Sequence, residues 1–167
     1  AFVSMVRKLY PQLAGHLSET VSPMCAVSRL VKAKDPEAVT VFIGPCVAKK
    51  QEAAEGKEGT ADFDLTYGEI RAILKAKNVE LQPEENQEQQ ASVYGKRFAN
   101  AGGVTKAVLR CMEEMGQPTD KLQVMECNGA ADCKKALMLL KMGRLPADFI
   151  EGMACEGGCV GGPSSHM

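Results

Sequence analysis

Apolar positions recur along this chain at two spacings, three-to-four and two, and the alternation between them predicts its elements. Phe2, Val3, Met5, Val6, Leu9 and Leu13 fall on one face of a helix, with Pro11 near its end. Ser22-Pro23 reads as a helix start, with Ser as N-cap and Pro at the first helical position. Ala26, Val27, Leu30 and Val31 are the expected buried face of that helix. Val39-Thr40-Val41-Phe42-Ile43 is short, β-branched and almost wholly apolar, which predicts a buried central strand ended by Gly44-Pro45. Residues 51–61 are charged and contain glycine, so a surface loop is expected there. Phe63, Leu65 and Tyr67 alternate as in a strand, and Thr66 or Tyr67 leads into a helix carrying Ile70, Ile73 and Leu74. The polar run from Pro83 to Gln90 reads as a mobile loop. Gly102-Gly103 precedes a helix with Val104, Ala107, Val108, Cys111 and Met112 on its apolar side. Residues 122–127 form a further strand, Asn128-Gly129 a turn, and residues 130–142 a helix. Phe149-Ile150-Glu151-Gly152-Met153 is a last extended piece.

Strands that alternate with helices predict an α/β fold, with a mostly parallel sheet flanked by helices on both faces. No internal repeat and no clear domain boundary is visible. In such sheets ligands gather outside the carboxyl ends of the strands. Two cysteine motifs, around Cys46 and around Cys155, follow predicted strands and so fall where that rule places a site.

Composition narrows the function. With 167 residues, 45% hydrophobic and 25% charged, the chain has the make-up of an ordinary globular domain. A net charge of −1 gives no bulk attraction to nucleic acid or to an anionic membrane. There is no Trp and there are only three Tyr, so base stacking has no support. No apolar run approaches the ~18–20 residues that span a bilayer. Neither nucleic acid nor membrane is therefore an expected partner. Seven cysteines, an odd number, point to a reducing compartment and a cytoplasmic location, with three or four thiols serving as small hydrophobes and the rest as ligands.

The first candidate constellation is Gly44-Pro45-Cys46-Val47-Ala48-Lys49-Lys50-Gln51-Glu52. If a helical turn follows the strand, Cys46, Lys49 and Glu52 share a face. A neighbouring ammonium favours the thiolate and offsets the negative charge of a metal–thiolate group. A buried strand-end cysteine before a solvated helix start accounts for the same residues. The second constellation is Cys155-Glu156-Gly157-Gly158-Cys159. Its glycines let the backbone take positive φ and approach a bulky inorganic group. Structural zinc favours Cys-x2-Cys knuckles in pairs, a spacing absent here. A cluster taking further thiolates from distant parts of the chain remains, with Cys46 the natural candidate. Cys25, Cys111 and Cys133 lie on apolar helix faces and read as core, and Cys127 is ambiguous because it ends a strand. His16 carries no motif and reads as a surface loop residue.

Together, Gly-Pro-Cys-x-x-Lys-Lys-x-Glu and Glu-x-Met-Ala-Cys-x-Gly-Gly-Cys-x-x-Gly resemble two signature loops of the iron-only (FeFe) hydrogenase large subunit. Leu17-Ser18…Ser22-Pro23, Phe98…Gly102-Gly103-Val104 and Asn128-Gly129 are similar to further stretches of that family, so the likeness extends over nearly the whole chain. The resemblance implies one lobe of the H-cluster domain. It implies a 4Fe-4S cluster joined through one cysteine sulfur to a diiron subcluster, and interconversion of H2 with protons and electrons. By resemblance, Cys46, Cys155 and Cys159 are cubane ligands and Cys159 the bridge. Lys49 reaches the cyanide ligands of the diiron unit, and Pro45 belongs to the same cofactor loop. Met153 and Phe98 line the pocket, Glu52 pairs or orients, and Ser18 matches a position on the family's proton path. The implied partners are H2, protons, an electron carrier such as ferredoxin, and an N-terminal remainder of the same protein.

The chain departs from the family pattern in four places. The family's first loop, with its fourth cubane ligand, would lie upstream of Ala1. Gly44 stands where Met is usual, Met24 stands where Gln is usual, and Pro163 breaks the final glycine run. These changes resemble a divergent or sensory branch. Both ends read as cut, so residues 1–163 are expected to be the C-terminal H-cluster lobe of a longer protein, inactive alone, and residues 164–167 a tail from cloning. Two other readings of the same residues are a non-enzymatic iron–sulfur electron-transfer or assembly protein that kept only the 4Fe-4S cluster, and a zinc-bound or metal-free α/β domain.

Overall fold

Each strand pair of this protein is joined through a helix, as parallel pairing requires. The computed structural model describes residues 1–56, 59–82 and 91–165. The polar run from Pro83 to Gln90, expected to be a loop, lies outside the described residues, as do His166 and Met167. In order, the chain forms α1 (Phe2–Leu9), a 3-10 segment (Pro11–His16), α2 (Pro23–Lys34), β1 (Val41–Gly44), α3 (Ala48–Ala54), β2 (Phe63–Thr66) and α4 (Tyr67–Ala76). There follow α5 (Val93–Arg97), α6 (Gly103–Glu114), β3 (Val124–Asn128), α7 (Ala130–Lys141), β4 (Phe149–Met153) and a 3-10 turn (Cys159–Gly161).

The α/β class and the parallel pairing are as expected. The strands fall into two two-stranded sheets, however, where the sequence suggested one. The described residues form two compact units. Unit 1 takes Ala1–Leu17 and the described part of Glu84–Gly161; unit 2 takes the described parts of Ser18–Pro83 and Gly162–Met167. Both units are built from separated stretches of chain, so no single linker marks the division. This is why no boundary was visible in composition.

In unit 1, β3 and β4 pair in parallel from Val124↔Phe149 to Asn128↔Met153, with α7 as the crossover. Two small cores hold α1 and α7 to each other and to the sheet. Val6, Leu13 and Leu137 form one, with Phe2, Met5, Tyr10, Leu17 and Leu140 packed round them. Cys127, Cys133 and Ala136 form the other, with Met125, Leu145 and Ile150 packed against it. Burying a Leu or Val side chain is worth about 1.5–3 kcal/mol, so Leu137 and Val6 are the main anchors. Cys127, ambiguous from sequence, is a core residue. Cys111, expected in the core of α6, is exposed instead, because the inward side of that helix is formed at its start by Gly103 and Thr105.

In unit 2, β1 pairs with β2 from Val41↔Phe63 to Gly44↔Thr66, and α3 makes the crossover. Residues 51–54 of the predicted 51–61 loop are therefore helix. Thr66 caps α4 through a reciprocal box with Glu69, as the Thr66–Tyr67 helix start suggested. Two expectations about burial fail here. Val41, Ile43 and Phe63 share one face of the strand pair and all are exposed, Phe63 at 60%. The inward residues of β2 are Asp64, whose side chain is 3% exposed, and Thr66. In α2 the buried residues are Met24, Cys25 and Ser28, while Val27 and Leu30 are exposed at 60% and 65%. The inward face lies about a third of a turn from the apolar stripe. Hydrogen bonds from Ser22 and Cys25 to other parts of the unit hold that side in.

A carboxylate fastens α6 to β4. Glu151 is 4% exposed, and its two oxygens accept the backbone N–H groups of Gly102 at 2.8 Å and Thr105 at 2.7 Å. It thus satisfies two donors that a helix N-terminus leaves unpaired, and its charge suits the positive end of the helix dipole. Glu151→Ala leaves two buried N–H groups without acceptors. A loss of about 2–4 kcal/mol is expected in urea denaturation followed by circular dichroism. An unchanged midpoint would show that water replaces the carboxylate at no cost.

Candidate functional site

The thiol loop of unit 1 begins where β4 ends. Met153 is its last buried strand residue, and Cys155 follows half-buried. The chain then turns through Gly157 at φ 79° and Gly158 at φ 95°, conformations that favour glycine. Three groups hold the loop. Gly157 N–H donates to Asn128 Oδ1 at 2.7 Å. Ala101 N–H donates to Gly157 O at 3.1 Å, and Val160 N–H to Ala99 O at 3.3 Å. Asn100 and Gly158 form an antiparallel bridge between these bonds. A Cβ on Gly158 would sit 2.4 Å from Ala99 O and 2.5 Å from Ala101 N, so the two backbones touch only because there is none.

This geometry brings several predicted residues together. Cys159 Sγ lies 3.8 Å from Met153 Sδ. Phe98, partly buried, caps α5 and opens the turn that pairs with the thiol loop. The Gly102-Gly103 step is tight as well, since a Cβ on Gly103 would meet Arg97 O at 2.1 Å. Cys159 is exposed, and none of the seven cysteines is in a disulfide. The buried pair is of another kind. Burial pushes the Cys127 thiol up, and the Cys133 thiol up to about 11, so both stay protonated and inert.

Unit 2 carries the Cys46 loop. Pro45 and Cys46 lie between the carboxyl end of β1 and α3, and the carbonyl of Pro45 accepts Ser164 N–H at 3.2 Å. Cys46 is half-buried. The helical turn that the sequence required is present. Lys49 Nζ meets Glu52 Oε2 at 2.6 Å, one turn on. The other oxygen, Glu52 Oε1, accepts the Ser22 hydroxyl at 2.5 Å and the Cys25 thiol at 3.4 Å. That thiol is also 3.4 Å from Thr60 Oγ1. Burial raises the Glu52 carboxyl, but the Lys49 and Ser22 hydrogen bonds, the Lys49 charge and the Cys25 contact together bring it below its ordinary value. Ser18 stands apart from this network. It is exposed, and its hydroxyl donates to Thr20 Oγ1 at 3.0 Å.

Ser22, Cys25 and Thr60 were not foreseen as site residues. Ser22 was legible as an N-cap, a role it fills by accepting Cys25 N–H. Nothing in a cap signature tells that the same hydroxyl reaches a glutamate thirty positions on. His16, expected on a surface loop, is exposed at the end of the 3-10 segment. Among the described residues, no group of three or more His, Cys, Asp or Glu stands ready to hold a metal ion.

These features define an α/β protein that offers thiols from glycine-rich or proline-led loops at its strand ends, the donor chemistry of iron–sulfur sites. The chain belongs to the iron-only hydrogenase large subunit, C-terminal domain family, whose profile matches residues 1–163. It is 27% identical to iron hydrogenase 1 of Clostridium pasteurianum, over 99% of this chain and 37% of that protein. It is 30% identical to the periplasmic (Fe) hydrogenase large subunit of Nitratidesulfovibrio vulgaris (strain Hildenborough), over 92% of this chain and 47% of that protein. Among solved structures, HydA(deltaEFG), described for stepwise FeFe-hydrogenase H-cluster assembly, matches with a TM-score of 0.71 at 22% identity, over 99% of this chain and 60% of that one. A variant of FeFe-hydrogenase HydA1 from Chlamydomonas reinhardtii matches with a TM-score of 0.68 at 22% identity, again over 99% and 60%. The chain thus spans less than half the length of these two curated relatives.

The Glu52 network carries a pH dependence with a definite sign. A carboxyl held below its ordinary value of 4.5 contributes stability above that value and loses it as pH falls through the lower folded value. Lys49→Met removes one of the hydrogen bonds and its charge. Acid unfolding of unit 2 is then expected to begin at a higher pH than in the parent, read by circular dichroism across a pH series. Coincident acid transitions would mean that Lys49 does not hold Glu52.

Proposed function

We propose that this chain forms the part of an H-cluster site that carries the Cys46 and Cys155–Cys159 loops, in an iron–sulfur hydrogenase-like protein that turns over or senses H2. The observation that carries the reading is the thiol loop of unit 1. Two cysteines flank a glycine pair that is hydrogen-bonded to Asn128 and to the Ala99–Ala101 turn, directly after β4. Two unbridged thiols on so constrained a loop suit an iron–sulfur group better than a disulfide or a packed core.

In this reading Cys46, Cys155 and Cys159 hold the 4Fe-4S cubane, and Cys159 is also the link to the diiron subcluster. When bound, that group would provide the metal centre at which protons and H2 interconvert and would relay electrons between that centre and the carrier. Every other role falls to side chains. Lys49 presents its ammonium to anionic cyanide ligands, and Glu52 fixes where that ammonium stands through the 2.6 Å pair. Met153, buried beside the Cys159 sulfur, excludes water there, Phe98 is the second pocket-lining residue of unit 1, and Pro45 belongs to the Cys46 loop. Glu52 Oε1 is placed to exchange a proton with the Ser22 hydroxyl at 2.5 Å, and Ser18 lies toward the surface as an entry position. The remaining cubane ligand comes from an N-terminal remainder of the protein, and electrons pass to a carrier such as a ferredoxin. Among the described residues no helix is long and apolar enough to cross a membrane. Seven thiols favour a reducing compartment, the cytoplasm, although one relative is named as periplasmic.

Two alanine variants separate ligand thiols from the rest. After anaerobic reconstitution of the full-length protein with iron and sulfide, Cys155→Ala is expected to abolish the thiolate-to-iron absorbance. Cys111→Ala, which alters an exposed thiol on α6, is expected to leave it intact. If both variants keep the absorbance, Cys155 is not a ligand.

A further inference from the structure

One buried acid has no part in these roles. Asp64 lies on β2 in register with Phe42, and its side chain is 3% exposed. Its Oδ1 stands 4.0 Å from Lys50 Nζ, too far for a hydrogen bond. Its Oδ2 is fully buried and has no hydrogen-bond partner. Lys50 is engaged elsewhere: Nζ donates to Glu69 Oε2 at 2.7 Å and to the backbone carbonyl of Asp64 at 3.3 Å.

A buried carboxylate without donors pays the full desolvation cost of its charge. The charged groups facing Asp64 are Lys50, Lys49 and Glu52 from α3 and Glu69 from α4. Two lysines stand against two glutamates, so the neighbours largely cancel and burial decides. It pushes the Asp64 carboxyl up. A proton on Oδ2 removes the charge, by the balanced step of carboxylate plus hydronium to carboxylic acid plus water. A buried polar group that costs stability is most often retained where it serves a site. Here the nearest cation is Lys50, and the Lys49–Glu52 pair on the same helix is among the charges that act on Asp64.

We propose that Asp64 is a proton-holding group of the Lys49 loop, and that its charge state sets how available Lys49 is to an anionic ligand. With Asp64 neutral, Glu52 is the carboxylate that holds Lys49, and the ammonium keeps its positive field. With Asp64 ionised, a second carboxylate draws on the same ammonium and weakens its pull on an anion. The use of this device by a hydrogenase rests on the function proposed above, whereas the titration itself does not.

The test is carboxyl 13C NMR of the intact chain, labelled at aspartate and read together with the Lys49 side-chain 15N signal. Asp64 is expected to titrate above the ordinary aspartate value of about 3.9. Lys50→Met should move its midpoint further up and Glu69→Gln should move it down. The Lys49 signal should show a step at the Asp64 midpoint that Asp64→Asn abolishes. Should the Asn variant fail to fold, the opposite shifts in the other two variants still decide the matter. An Asp64 midpoint at or below the ordinary value overturns the proposal, as does a Lys49 signal that ignores it. Failure to bind iron leaves this titration untouched, and a flat titration leaves the cysteine ligands standing, so the two readings fail separately.

Discussion

The site in unit 1 depends on a backbone contact that only glycine permits. Gly158 lies flush against the Ala99–Ala101 turn, with its Cα so close that any side chain would strike Ala99 O. Because the two segments touch, Ala101 N–H can donate to Gly157 O and Val160 N–H to Ala99 O, and Asn128 can reach Gly157. Those bonds fix the path between Cys155 and Cys159, and the Cys159 sulfur lies against that of Met153.

The two units solve one problem in the same way. In each, a strand, a crossover helix and a parallel strand place a cysteine just beyond the carboxyl end of a strand, after β1 in unit 2 and after β4 in unit 1. In each, a carboxylate, buried in unit 1 and half-buried in unit 2, then ties separate stretches of chain together. Glu151 joins β4 to the start of α6, and Glu52 joins α3 to the start of α2. Both carboxylates face donors rather than other acids, which is what makes them stabilising. Asp64 is the exception, and for that reason it is the acid that points to chemistry rather than to architecture.

Much of this was legible in the sequence. The strand ending at Met153 and the helix starting at Ala130 fall where periodicity and turn chemistry placed them. The Ser22-Pro23 cap and the helical turn from Lys49 to Glu52 also formed as expected. What periodicity could not show was which side of an element faces inward. In β2 the apolar residues alternate, yet it is the Asp64 side chain and Thr66 that are buried. In α2 a stripe of valine and leucine is exposed while Cys25 and Ser28 are buried. In both cases polar or polarisable groups win the interior through specific partners, and such partners are distant in sequence. Residues 51–54 read as loop because their charge masks a helix held by its Lys49–Glu52 and Gln51–Glu55 pairs.

The central claim is that these loops hold an H-cluster and not a lone cubane, a zinc ion or nothing. The most direct measurement is infrared spectroscopy, alongside EPR, of the full-length protein matured anaerobically with both subclusters supplied. The account predicts a cubane EPR signal together with CO and CN stretching bands. A cubane signal with no such bands would contradict it in favour of a simple iron–sulfur protein, and absence of both would remove the iron–sulfur reading altogether.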